Sequence, residues 1–429
     1  MITLKHMLGK IITLFLTCVF ALSTLTLPSK EAQNVPEDFT PVLRFAVCSD
    51  IHIGKDNGDN AEKFKKLFDV SYEYAKSSTY KVLDAVVVAG DMTDGGKAEE
   101  YEIYNSVIDE KIKEETQILS CLGNHEFIEY RDEDASVGYD VYKKYVNEEV
   151  DTHTVIGGYH FIGVSYDDNG ETFDGKTQWL KEQLDIAVSD TGDKPIFVFQ
   201  HPHPAVTVYG SINWGDIDIR RVLEDYPQVI DFSGHSHYAA NDPRSVWQGS
   251  FTAIGTGGVT GSMGNLNYIS GDNYGSGDSG TFYIVEADAS GNVRMKLYDL
   301  VSEKFFDNID YYFTSETFGA YKWSKSYTLD TRPSFPEDAQ IMVKTNSDGE
   351  TVISFPKAKG YYDAESYKIV VKDEKGKTVF ADTVLSGYVR ADDADENVNI
   401  GVTNATTLKI RITPYSPYAK AGRTIQSVL

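Results

Sequence analysis

The chain has 429 residues, too many for one ordinary hydrophobic core, so two domains are expected. With 41% hydrophobic and 24% charged residues it has the composition of a globular protein, which excludes wholesale disorder. A formal charge of -25 at pH 7 repels a phosphate backbone, so no nucleic acid duplex is expected as a partner. The pattern begins with Lys5 and Lys10, an apolar run from Ile11 to Leu27, and Pro28. This charged-then-apolar order predicts a signal peptide over residues 1–27 and a secreted or extracytoplasmic, cell-surface protein; a retained membrane anchor is the alternative. From Pro41 to Asp299, short apolar runs alternate with amphipathic stretches. Val42–Cys48, Ala85–Ala89, Gln117–Leu122, Tyr159–Ser165, Pro195–Gln200 and Val229–Ser233 read as buried strands. Ala61–Lys76, Lys97–Lys113, Tyr139–Asn147, Thr177–Val188 and Ile217–Asp225 read as the helices between them. That alternation implies a layered α/β domain, ending in β-runs at Phe251–Ile254, Gly280–Glu286 and Val293–Tyr298. A linker is expected at Phe318–Pro336. Only β patterning follows it, with strands at Tyr367–Lys372, Thr378–Ala381 and Thr407–Thr413 and a small sandwich as the implied unit. The expected domains are 42–310 and 330–429.

Five polar clusters stand at the ends of apolar runs: Asp50-Ile51-His52, Gly90-Asp91, Gly123-Asn124-His125-Glu126, His201, and Gly234-His235-Ser236-His237. Loops at the carboxyl ends of strands in an α/β sheet converge on one crevice. Five loops would therefore bring carboxylates, imidazoles and an amide to one place. Mixed nitrogen and oxygen donors without cysteine suit Mn, Fe or Zn in a catalytic site better than a structural zinc site. Seven candidate ligands are too many for one tetrahedral ion and suffice for two sharing a carboxylate. Two such ions can clamp both oxygens of an in-line phosphoryl displacement and lower the pKa of a bridging water toward neutrality. Gly90, Gly123 and Gly234 are expected where the chain turns off a strand. Cys48 and Cys121 end apolar runs and read as buried thiols. His153 and His160 flank a hairpin turn at Gly157-Gly158 and read as structural or surface residues; His203 follows His201 too late to be the chosen ligand.

In this order, the five clusters resemble the calcineurin-like metallophosphoesterase superfamily, across roughly residues 42–300. The resemblance implies a four-layer α/β fold, a metallophosphoesterase β-sandwich flanked by helices. It implies that Asp50, His52 and His237 hold one divalent ion, that Asn124, His201 and His235 hold another, and that Asp91 bridges them. It gives His125 the stabilisation of developing charge or the protonation of the leaving oxygen, with Glu126 orienting His125. The region after the linker resembles a fibronectin type III-like β-sandwich, as in secreted bacterial members. It is a second, smaller all-β domain that could contact a cell surface or glycan, or pack against the first domain and shape its cleft. The implied activity is metal-dependent hydrolysis of a small-molecule phosphodiester or phosphomonoester. The alternatives are a 5′-nucleotidase-like phosphatase, favoured by Gly123–Phe127, and a non-catalytic surface binding protein. Tyr209 and Trp214 could stack a base or pack a long loop, Arg244 could steer phosphate or form a structural ion pair, and Asp167, Asp168 and Asp174 read as solvated surface.

Overall fold

The computed structural model describes residues 35–54, 58–261, 279–314, 331–402 and 405–429. The expected signal segment and most of the expected linker lie outside these residues. The first part of the chain forms β1 (Pro41–Cys48), α1 (Asp59–Ser77), β2 (Ala85–Ala89), α2 (Ala98–Lys111), β3 (Gln117–Cys121), α3 (Val137–Tyr145), β4 (Thr152–Ile156), β5 (Tyr159–Gly163), α4 (Lys176–Thr191) and β6 (Ile196–Gln200). It continues through β7 (His203–Pro204), α5 (Ser211–Trp214), β8 (Gly215–Asp216), α6 (Ile217–Leu223), β9 (Val229–Ser233), β10 (Val246–Gln248), β11 (Thr252–Gly255), β12 (Thr281–Asp288), β13 (Val293–Asp299) and β14 (Lys304–Phe313).

These strands build two six-stranded sheets, ordered β14-β13-β12-β1-β2-β3 and β10-β11-β9-β6-β5-β4. In the first sheet the half β1-β2-β3 is parallel and ends at the β3 edge, with antiparallel strands on the other side of β1; in the second the central strands β5-β6-β9-β11 are parallel, with antiparallel strands at both edges. A parallel strand with both faces covered reads as a continuous apolar run. The β2 sequence Ala-Val-Val-Val-Ala is buried along its whole length, as that rule requires. Alternate residues of β1 sort to its two faces: Leu43, Phe45 and Val47 enter the core between the sheets, while Ala46 and Cys48 join the core that includes Phe64, Leu67 and Phe68 of α1. Between the sheets Phe45 meets Phe161, Phe197 and Phe232 edge-on at 4.8–6.0 Å, a favoured aromatic geometry. On the outer faces the apolar sides of α1, α2 and α4 close the four-layer arrangement that the sequence implies. Arg44 is fully buried on the α1 side of β1 and binds Glu286 through Nε and Nη2, at 2.9 and 2.6 Å.

The remainder is all β. It comprises β15 (Met342–Thr345), β16 (Thr351–Phe355), β17 (Ser366–Lys372), β18 (Thr378–Leu385), β19 (Glu396–Asn399), β20 (Lys409–Tyr415) and β21 (Ile425–Val428). A three-stranded sheet, β15-β16-β19, and a four-stranded sheet, β18-β17-β20-β21, enclose a separate core around Ile353, Phe355, Tyr367, Ile369, Val371, Ile410 and Ile412. Sequence patterning omits β10, β14 and several strands of this second region. β14 also runs past the expected boundary at residue 310. Cys48 and Cys121 are buried free thiols, as expected, and burial pushes both thiols well above their ordinary range. Among the described residues, no helix is long and apolar enough to cross a membrane.

Candidate metal centre

The five clusters leave the carboxyl ends of β1, β2, β3, β6 and β9, and they meet. Asp50, His52 and His237 offer ligand atoms within 4.8 Å of one another, and so do Asp91, His201 and His235. In the first group His52 Nε2 and His237 Nε2 are 3.2 Å apart, and His237 Nε2 lies 3.1 Å from Asp50 Oδ1. With metal–nitrogen distances of about 2.0–2.1 Å, two imidazoles on one ion stand roughly 3 Å apart. In the second group His201 Nε2 lies 2.9 Å from Asp91 Oδ2 yet is not aligned for a hydrogen bond. The groups share a wall, since Asp91 Oδ2 is also 3.7 Å from His52 Nε2, and Asp50 Oδ1 is 3.9 Å from His201 Nε2. Asn124 sits beside them with its Oδ1 buried and lacking a hydrogen-bond partner. A buried acceptor without a donor is costly unless something else engages it. An amide oxygen, imidazole nitrogens and anionic carboxylates facing one space are a donor set that fits divalent cations.

Local backbone chemistry holds the ligands in place. Asp50, His52, Asp91, His235 and His237 all have positive φ, between 51° and 68°. They are five of the eight non-glycine residues with positive φ among the described residues, and strain concentrated in this way marks functional loops. Asp50 N and His52 N donate to the carbonyls of Gly90 and Asp91, both at 3.1 Å, and Gly234 N donates to His201 O at 2.9 Å. The loops are thus stitched to one another independently of their side chains. Of the three glycines expected to turn the chain, only Gly90 has positive φ. Gly123 and Gly234 are required by close approach instead. An added Cβ would lie 2.2 Å from Asp91 Oδ1 at Gly123, and 2.3 Å from Asp50 Oδ2 at Gly234.

Neighbouring groups set tautomers and charge. His201 Nδ1 donates to Ala89 O at 2.9 Å, which leaves Nε2 to face the site. Burial works against a charged His201, but the adjacent Asp91 carboxylate outweighs it and holds the imidazole up at about 9. Burial, with His201 nearby, pushes His235 down to about 4. Asp50 and Asp91 are buried, which alone would raise them; their imidazole neighbours reverse the direction and keep both carboxylates well below the usual range. Asp91 Oδ1 accepts from His125 N at 2.9 Å, and Asp50 Oδ2 accepts from Ser49 Oγ and, at 3.1 Å, from His235 N.

Two sequence expectations change. Glu126 does not orient His125. Its buried carboxylate instead accepts from the backbone N–H groups of Asp91, Thr93 and Gly123 at 2.7–3.0 Å, and from Thr93 Oγ1 at 3.1 Å, so it braces the β2 and β3 loops. Burial first, and then the Asp91 charge, raise Glu126 to about 7. His125 is oriented by Asp94: its Nδ1 donates to the Asp94 carbonyl at 2.8 Å. The Asp94 carboxylate also lies 3.3 Å from His52 Nδ1, and His52, Asp94 and His125 form a third close group. Sequence reading missed this role, and the only available signal was an acidic residue soon after Asp91. The second change is Asp167, read as surface, which is buried and binds the Thr172 hydroxyl at 2.8 Å to close its own loop.

His201 faces Asp91 and joins a ligand group, whereas His203 joins neither group. His203 lies between Ser233 Oγ and Ser236 Oγ at 2.8 and 2.7 Å, with burial pushing it down to about 3. His153 and His160 bind each other at 2.7 Å, across the β4–β5 hairpin, and His160 also binds Asp190 at 2.9 Å. Arg244 forms structural ion pairs with Asp242 and Glu365.

Residues 43–239, which contain all the candidate ligands, match the family model of calcineurin-like phosphoesterases. The matched stretch is a little under half of the chain. A curated relative, the glycerophosphodiester phosphodiesterase GpdQ of Enterobacter lignolyticus (strain SCF1), is 30% identical over 167 residues. That alignment takes in 36% of this chain and 56% of the relative, so the chain spans little more than half the length of the curated protein it matches. Among solved structures, the purple acid phosphatase PPD1 from yellow lupin (Lupinus luteus) seeds aligns with a TM-score of 0.45 at 13% identity, covering 64% of this chain and 55% of that one.

Proposed function

We propose that the protein is a two-metal phosphoesterase that hydrolyses a small phosphodiester or phosphomonoester outside the cytoplasm. The observation that carries the reading is the pair of abutting ligand groups, Asp50-His52-His237 and Asp91-His201-His235, with Asp91 Oδ2 within 3.7 Å of imidazoles from both. In this reading Asp50, His52 and His237 hold one ion, Asn124, His201 and His235 hold the other, and Asp91 lies between them. When bound, the ions supply Lewis-acid polarisation of the phosphoryl oxygens and a water acidic enough to act as nucleophile near neutral pH. The protein's own part is positional. His125, held at Nδ1 by the Asp94 carbonyl, keeps Nε2 free of that anchor and directed at the space beside Asp91, from which, with both ring nitrogens protonated, it would stabilise charge developing on the phosphoryl group and pass the Nε2 proton to the leaving oxygen. Glu126 keeps the loops of Asp91 and Asn124 in register through their backbone. The diester is placed first because GpdQ is, by its name, a glycerophosphodiester phosphodiesterase. The N-terminal charged-then-apolar segment supports a site of action beyond the cytoplasm.

The test is hydrolysis of bis-p-nitrophenyl phosphate and p-nitrophenyl phosphate by metal-stripped protein with Mn, Zn, Fe, Co, Mg or Ca restored. Asp91→Ala and His125→Ala variants are run in parallel. Metal-restored turnover that both variants lose supports the assignment. Failure to bind any of these metals would remove it and leave the binding-protein alternative. Faster cleavage of nucleoside monophosphates than of either diester would favour the nucleotidase alternative.

A further inference from the structure

The long loop between β7 and β8 crosses the turn that carries His235 and His237. Gly210 in this loop comes so close to it that an added Cβ would lie 2.6 Å from the Tyr238 ring and 2.7 Å from Ser236 Cβ. At the end of the loop Trp214 meets His235 edge-on, with ring centroids 6.2 Å apart at 89°. Trp214 is only half-buried, and its neighbour Ile212 is 83% exposed. An indole partly open to solvent beside a metal-ligand candidate is placed to meet whatever the site holds.

Behind Trp214 a ladder of rings leads away from the centre. Tyr238 lies 6.2 Å from Trp214 and stacks on Tyr209, with centroids 4.0 Å apart at 18°. The Arg244 guanidinium stands 3.8 Å over the Tyr209 ring. Arg244 in turn binds both oxygens of Asp242, at 2.8 and 2.6 Å, and reaches Glu365 at 2.5 Å. Glu365 directly precedes β17 of the all-β region, and its side chain is 5% exposed. Around the same joint, Asn241 Nδ2 donates to Tyr388 O at 2.6 Å, and Tyr388 Oη donates to Asp242 Oδ2 at 3.4 Å. The second β region therefore grips the base of a ladder whose other end lies at the metal centre.

We propose that Trp214 is a specificity-determining face of this site, suited to esters whose leaving group is a planar ring. Glu365 is a positioning residue that sets that face through Arg244, Tyr209 and Tyr238. The inference rests on the phosphoesterase reading above and adds its substrate class. A ring gains stacking contact on indole, whereas a small polyol or alkyl alcohol gains little. The Arg244–Glu365 contact is 20% and 5% exposed on its two sides, so removing one partner leaves the other charge poorly compensated.

The experiment compares the metal-restored wild type with Trp214→Ala, Trp214→Phe and Glu365→Gln on three diesters. These are bis-p-nitrophenyl phosphate, a dinucleoside monophosphate, and glycerophosphocholine as the alkyl reference. Trp214→Ala should raise KM for the aryl diester roughly tenfold, with kcat within about twofold and the alkyl diester little changed. Trp214→Phe should recover most of the loss, and Glu365→Gln should raise the aryl KM in the same direction by roughly threefold. Sensitivity of the dinucleotide as well extends the class from aryl rings to nucleosides; either pattern supports a planar wall. A second readout is fluorescence quenching by p-nitrophenylphosphonate, whose saturating amplitude should fall in Trp214→Phe. Equal losses on aryl and alkyl esters, effects confined to kcat, an unchanged aryl-to-alkyl KM ratio in Glu365→Gln, or unchanged quenching would each overturn the proposal while leaving the phosphoesterase standing. A wild type that binds no metal and turns over neither these three nor p-nitrophenyl phosphate removes both.

Discussion

Gly234→Ala tests whether Asp50 belongs to a metal site without touching any ligand. The added methyl would stand 2.3 Å from Asp50 Oδ2 and 2.3 Å from Ser49 Oγ, where ordinary contact begins at 3.4 Å. Asp50 and Ser49 are both fully buried, so neither can swing out into solvent. Clearing the overlap therefore moves the Asp50 carboxylate by roughly 1 Å, and a misplacement of that size costs on the order of a hundredfold in rate. The overpacking also costs about 1–3 kcal/mol of stability, which a globular domain can absorb. The assay is metal-restored hydrolysis of bis-p-nitrophenyl phosphate, with metal content measured by mass spectrometry and a thermal melt of the same samples. The expected outcome is a cooperative fold with reduced metal content and a kcat/KM lower by about two orders of magnitude. A folded Gly234→Ala protein with wild-type metal content and rate would show that Asp50 has no part in binding metal.

Further perturbations act away from the centre. Arg44→Met leaves the buried Glu286 carboxylate to the Tyr74 hydroxyl and the more distant Arg294 and should cost about 3 kcal/mol in a urea titration, while Arg44→Met with Glu286→Leu recovers most of it; equal stability of single and double variants would refute the ion-pair account. Glu396 is raised to about 7, chiefly by burial, against 4.5 for the free group. Its folded-state pKa being the higher one, its contribution to stability is full below pH 4.5 and is lost as pH rises through about 7. The loss is up to about 3 kcal/mol. Wild type should therefore lose stability relative to Glu396→Gln between pH 5 and 8, and superimposable pH profiles of the two melts would contradict the assignment.

What was readable in the sequence follows from what each element buries. β2 and β9 are short runs with both faces covered, and their ends are legible to the residue. β14 is not: its buried Phe306, Ile309 and Phe313 lack a strict alternation, and its pairing with β13 shifts register between Lys296 and Tyr298. The ligand candidates were legible because each follows a strand that announces itself by hydrophobicity. Asp94 and the bracing role of Glu126 were not, because they depend on which backbone groups arrive beside them once β2 and β3 are paired. The aromatic ladder was half visible, as Tyr209 and Trp214. Their division of labour needed Tyr238 and Arg244, which come from a different loop.

The left-handed backbone at Asp50, His52, Asp91, His235 and His237 narrows what these positions can tolerate. Apart from glycine, the residues that adopt this conformation most readily are Asn, Asp and His. Two of those three side chains, Asp and His, are the candidate ligands found there. Residues outside that set, such as Glu303 at φ 56°, adopt this conformation more rarely. Mutational drift at these positions is thus filtered by the dihedral angle, and, on the proposed function, by coordination chemistry as well. The backbone narrows the choice at these five sites before any demand of coordination is made.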